Sequence, residues 1–88
     1  MEMTQHASER AVQRCLPSDV VAAIYSYGTP SHRRGAVSFR LDRQALELAR
    51  SDLTNAFHHR LERFRGAYVV ADGATVITVA RATRRFRN

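Results

Sequence analysis

His6, Arg10 and Arg14 recur at intervals of four residues. On a helix, residues four apart stand one above another, so this spacing draws the three into one row. An imidazole in the first turn faces the positive end of the helix dipole, which disfavours its cationic form. A neutral imidazole acts as a general base near neutral pH. Two guanidiniums beside it would grip a phosphate and offset the charge that gathers on phosphorus during substitution. The 2′-hydroxyl of RNA is its own nucleophile, so such a site would cut RNA without a metal. The same spacing also describes a solvated, charged helix flank.

Two further groups carry candidate chemistry. Arg81, Arg84, Arg85 and Arg87 surround Phe86 near the C-terminus. Arginines interleaved with an aromatic suit a nucleic-acid strand, with cations on phosphates and a ring on a base. Thr78 and Arg81 close the last predicted strand and would complete a cleft if that strand lies beside the first helix. His32, Arg33 and Arg34 occupy a polar stretch that reads as a loop, and loops often carry binding residues. His58 and His59 are adjacent, so on a helix they diverge. They are expected on the surface, and no third ligand is placed beside them. Cys15 is expected as a small core residue. No metal site or cofactor is expected: there is no glycine-rich phosphate loop, no paired-cysteine motif and no HExxH.

These residues must be positioned by a small domain. The chain has 88 residues and a net charge of +6, and all 14 of its basic residues are arginine. Guanidinium forks bind phosphate bidentately and stack on bases. A small, strongly basic domain attracts polyanions, nucleic acid first and an acidic protein second. At this size the core is thin, and a homodimer would add stability. No apolar run is long enough to span a membrane, no secretory signal is evident, and a single cysteine fits a reducing cytoplasm.

Taken in order, residues 1–4 are expected to fray. Thr4 is a candidate N-cap for a helix running to about Cys15 or Leu16, which Pro17 ends. Ser18 or Asp19 would cap a second helix with Val20, Val21, Ile24 and Tyr27 on its apolar stripe, stopped at Gly28. Residues 29–35 read as loop. Val37, Phe39 and Leu41 alternate with polar residues as a half-buried strand. Asp42 would cap a longer helical segment over 42–64, either continuous or broken near Ser51 and Asp52. The last third reads as a hairpin about Asp72 and Gly73, with Val69 facing Val76 and Tyr68 facing Ile77. Neither face of that hairpin is polar, which predicts that both are at least partly covered.

The opening stretch, with His6, Ala7, Arg10, Arg14, Cys15, Leu16 and Pro17 followed by Val20, Ile24 and Gly28, resembles the domain-of-unknown-function family 4258. The valine-rich hairpin with Thr78 near its end is similar to that family's last strands. Cys15 stands where the family usually has glycine, and the helical segment over 42–64 occupies a region where more sheet would be expected. The resemblance implies the barnase, EndoU, colicin and RelE-like nuclease fold, metal-free RNA cleavage, and relatives that act as toxins with an acidic antitoxin or immunity protein.

The expected fold is therefore α+β: two N-terminal helices, a strand, a longer helical segment and a C-terminal hairpin in a small antiparallel sheet. The expected function is a ribonuclease or toxin-like RNA-interacting protein, with His6, Arg10, Arg14, Thr78 and Arg81 at the reacting centre. Arg33, Arg34, Arg84, Arg85 and Arg87 would hold flanking RNA. The alternative is a non-catalytic basic module that binds nucleic acid or an acidic protein partner.

Overall fold

The computed structural model describes residues 1–81. Nine elements follow one another: β1 (Glu2–Met3), α1 (Gln5–Gln13), α2 (Ser18–Tyr27), β2 (Thr29–Arg33), β3 (Ala36–Arg40), α3 (Arg43–Ala49), α4 (Asn55–Glu62), β4 (Ala67–Asp72) and β5 (Thr75–Arg81). The fold is α+β, as expected. The sheet order is β1-β5-β4-β3-β2. All neighbours are antiparallel except β1 and β5, so the sheet is mixed rather than purely antiparallel.

The helix boundaries follow from capping. The Thr4 hydroxyl accepts the Ala7 N–H at 3.1 Å and starts α1. Asp42 does the same for α3 through the Ala45 N–H at 2.9 Å, and Thr54 for α4 through the Phe57 N–H at 3.1 Å. Each satisfies a donor that the helix itself leaves unpaired. Helix α2 departs from the expectation: the capping position is Pro17, and neither Ser18 nor Asp19 caps by its side chain.

Helix α1 ends earlier than the proline required. Arg14 is its last half-helical residue, and Cys15 turns to φ 56°. The Leu16 N–H then reaches back to the Ala11 carbonyl at 2.8 Å, and the Cys15 N–H to Val12 at 3.1 Å. This is a Schellman stop, normally built on glycine. Cys15 is consequently exposed, not in the core as expected. Leu16, next to it, is buried in its place.

One hydrophobic core lies between the helices and one face of the sheet. Ala7 and Ala11 of α1, Val20, Val21 and Ile24 of α2, and Ala45, Leu46 and Leu61 of α3 and α4 meet Val69, Val76 and Val79. The 42–64 segment is two helices, and its predicted stripe turns inward: Leu46 and Leu61 join the core, Leu53, Phe57 and Phe64 pack against it, and Ala49 is buried. His58 corrects the surface expectation: it is buried, with Nε2 2.9 Å from the Leu46 carbonyl.

Three features of the sheet also depart from the expectations. Residues 1–4 do not all fray, because Glu2 and Met3 pair with Thr75 and Val76. The 29–35 loop is instead the edge strand β2 joined to β3 by a two-residue turn at Arg34 and Gly35, with φ values of 47° and 82°. Positive φ at both positions is the type I′ geometry that matches strand twist. The last hairpin turns at Gly73 and Ala74, one residue later than expected. Its pairing also shifts at Val70/Ala71, so Val76 faces Ala71, Thr78 faces Val70 and Val79 faces Val69. Ile77 is the extra residue of this bulge. It swings Val79 into the core and Thr78 to the other side.

Candidate nucleic-acid interface

The α1 row exists, but as an exposed flank. Ala7 and Ala11 take the buried face of α1. His6 and Arg14 are exposed and Arg10 is half-buried. His6, Glu9, Arg10 and Gln13 line a shallow groove of about 320 Å³ on the helix surface.

Thr78 and Arg81 do not join that row. The Val70–Thr78 pairing sets Thr78 on the sheet face opposite the helices. Arg81 is committed elsewhere: its Nη2 donates to the Arg63 carbonyl at 3.1 Å, and its guanidinium lies 5.2 Å from the Phe64 ring centroid. It ties the end of β5 to the end of α4. The five residues expected to share one reacting centre therefore occupy three surfaces. Arg84, Arg85 and Arg87 lie outside the described residues.

Sequence reasoning missed the outer face of the sheet. Among the described residues all the helices pack on one face, so no helix supplies the expected cover on the other, where Tyr68, Val70, Thr78 and Ala80 are half-buried. The register fixes which side chains share the open face. Thr29, Arg40, Tyr68 and Ala80 form one cross-strand row; Ser31, Ser38, Val70 and Thr78 form the next; Arg33 and Ala36 follow towards the β2–β3 turn. Much of this surface is a groove of about 480 Å³, bounded at one end by Asp42.

The electrostatics of the groove are asymmetric. Arg33, Arg34 and Arg40 are exposed, and none makes an ion pair within 4.0 Å among the described residues. The Arg40 guanidinium lies 5.9 Å from the Tyr68 ring centroid, a cation–π distance. Asp42 is the carboxylate of the groove, and its Oδ1 is already engaged twice, by Thr29 and by the Ala45 N–H. Burial pushes its carboxyl up, but the Ala45 N–H, the Thr29 hydroxyl at 2.8 Å and the Arg40 charge together hold it below the ordinary carboxylate value. The positive end of the face is the β2–β3 hairpin. Asp72 on β4 and Glu2 on β1 lie at the same end of the strands, across the sheet from that hairpin and one step beyond the Val37–Ala71 pair.

Chemically, this surface can bind but shows no assembled acid–base pair. It offers guanidiniums for phosphate, one half-exposed aromatic ring, and hydroxyls from Thr29, Ser31 and Ser38. Among the described residues, no group of three His, Cys, Asp or Glu side chains could hold a metal ion, and no helix is long and apolar enough to cross a membrane. Comparisons of the chain with protein-family models, with curated proteins and with solved structures find no match.

Proposed function

We propose that this chain is a basic nucleic-acid-binding module, RNA being the first ligand to test, and that its contact surface is the open face of β2, β3 and β4. The observation that carries the reading is Arg40 beside Tyr68 and Arg33 further along the same groove, with Arg34 in the adjoining turn, all exposed and none in an ion pair within 4.0 Å among the described residues. The net charge of +6 supplies the long-range attraction.

The test is fluorescence anisotropy with a labelled mixed-sequence RNA across a salt series. Binding should weaken steeply with salt, and Arg33→Ala and Arg40→Ala should each reduce the slope by about one. If Arg33→Glu with Arg40→Glu binds like the wild type, the open face is not the surface. Salt-sensitive binding to poly-glutamate, but not to RNA, would replace nucleic acid with an acidic protein partner such as an antitoxin or immunity protein.

A second reading, metal-independent RNA cleavage, has one observation in its favour. His6 and Arg10 share the exposed groove on α1, where an imidazole and a guanidinium would reach one phosphate together. RNA incubated with the protein in EDTA would then shorten, and His6→Ala would stop it. Intact RNA after long incubation leaves the binding module alone.

A further inference from the structure

The open face has more detail than a basic patch needs. Tyr68 sits in its floor, half-buried, in a row between Arg40 on one neighbouring strand and Ala80 on the other. Alanine is too short to cover a phenol ring, so among the described residues the ring stays accessible on the β5 side. Along the strands the next row carries Ser31, Ser38 and Val70, and beyond it stands Arg33. Adjacent rows are about 6.8 Å apart and Arg33 lies about 14 Å from Arg40 along the sheet, from the rise per strand residue.

We infer that the groove takes a single strand, with one base stacked on Tyr68 and the backbone running from Arg40 to Arg33. This rests on the nucleic-acid reading above and narrows it to single-stranded ligand. A duplex presents phosphates and sugar edges, while its bases stay stacked inside. It could meet the arginines but could not place a base face on a ring in the groove floor. An unpaired base can, and a ring flanked by a cation and an open side is what base stacking uses. The Arg40 guanidinium within cation–π range of the ring also gives a base a second flat surface beside the first. Asp42 closes the Arg40 end of the groove. Its charge keeps phosphate from passing that end, and Asp72, level with Arg33 but on β4, keeps the backbone on the β2–β3 side of the groove.

The experiment uses the full chain and five labelled probes: one mixed sequence as single-stranded RNA, the same sequence as single-stranded DNA, a duplex of each, and then a single strand with abasic sites. Both single strands should bind at least tenfold more tightly than their duplexes. Tyr68→Leu should weaken single-strand binding by roughly 5- to 100-fold, the range of a lost base–aromatic stack. It should leave the salt slope unchanged, and Tyr68→Phe should bind like the wild type. Abasic strands should bind the wild type about as weakly as intact strands bind Tyr68→Leu. This abasic comparison stands even if the leucine variant fails to fold. Equal affinity for duplex and single strand, or abasic strands bound as well as intact ones, overturns the single-strand inference while the binding module survives. Absence of salt-sensitive binding to every probe overturns the module itself.

Discussion

Thr29 donates its hydroxyl to Asp42 Oδ1 at 2.8 Å, the oxygen that also accepts the Ala45 N–H. The first residue of the edge strand is thereby fastened to the first turn of α3. The bond joins the start of the β2–β3 hairpin to the helical layer, and so it braces the wall of the groove on which Arg33 and Arg40 stand.

Losing that carboxylate should cost stability in a pH-dependent way. Asp42→Ala removes the cap of α3 and should cost about 1–2 kcal/mol, a drop in Tm of about 4–8 °C per kcal/mol in a domain this small. The Asp42 carboxyl is held below its ordinary value of 3.8. Its folded form therefore binds its proton less readily than the unfolded chain does. The contribution is fully present above about pH 4 and is lost as pH falls through the lower folded value. Asp19, whose carboxylate accepts two hydrogen bonds from Arg60 at 3.0 and 3.2 Å, is held down in the same direction. Urea unfolding at pH 7 and at about pH 2 should show the gap between wild type and Asp42→Asn narrowing with acid. An unchanged gap would mean that the charge of Asp42 does not stabilise the fold.

Cys15 is the residue most at odds with its backbone. At φ 56° an L side chain crowds the following carbonyl, which glycine avoids. The surrounding hydrogen bonds hold it there regardless, through Leu16 to Ala11 and Cys15 to Val12. Cys15→Gly should raise stability by about 0.5–1 kcal/mol, the relief of strain less the extra unfolded-chain freedom. Cys15→Val should lower it, because β-branching tolerates this conformation worst. Thermal melts of both variants in reducing buffer would settle the order, and a less stable glycine variant would contradict the strain argument.

What could be read from the sequence divides along physical lines. Helix starts were legible because a cap is a local event: Thr4 and Asp42 announce themselves within three residues of the N–H they satisfy. The apolar stripe from Leu46 to Phe64 was legible because it must face one core. Strand β2 was not, because an exposed edge strand with Pro30 and His32 needs no apolar alternation. The position of Thr78 depended on the bulge at Ile77, which no residue type marks. His58 looked like a surface residue because burial of an imidazole requires only one well-placed carbonyl, and that carbonyl lies on another helix. The His6, Arg10 and Arg14 row was visible as spacing. The pairing of Arg40 with Tyr68 was not, since it exists only once β3 and β4 are in register.

Gly28 illustrates how composition can be right for a different reason. It follows α2, where a glycine stop was expected, but its φ is −60° and needs no glycine. The requirement is space. A Cβ at this position would sit 2.5 Å from the Ile24 carbonyl oxygen and 2.8 Å from Phe39 Cβ. The glycine lets the end of α2 lie directly against β3, with the Tyr25 and Phe39 rings 5.3 Å apart beside it. Gly28→Ala should therefore destabilise by about 1–3 kcal/mol, as overpacking does. Equilibrium unfolding should register a lower midpoint with an unchanged urea dependence. A neutral alanine would show that β3 can shift away freely.

His58 joins α3 to α4 through an acceptor that helix α3 cannot satisfy for itself. In a continuing helix the Arg50 N–H would bond to the Leu46 carbonyl, but here it bonds to Glu47 at 3.3 Å. The last carbonyls of a helix need outside partners, and His58 Nε2, 2.9 Å away, donates to this one. A carbonyl can only accept, so Nε2 carries a proton, and Nδ1 faces Glu62 at 3.9 Å. His58→Leu keeps the apolar bulk but strands a buried carbonyl, at a cost of about 1–3 kcal/mol. His58→Gln retains an N–H donor of similar reach and should recover part of that loss. Unfolding midpoints for the two variants, measured side by side, separate the hydrogen bond from packing. If leucine were as stable as the wild type, the carbonyl would have found another donor, and the link between the two helices would be hydrophobic alone.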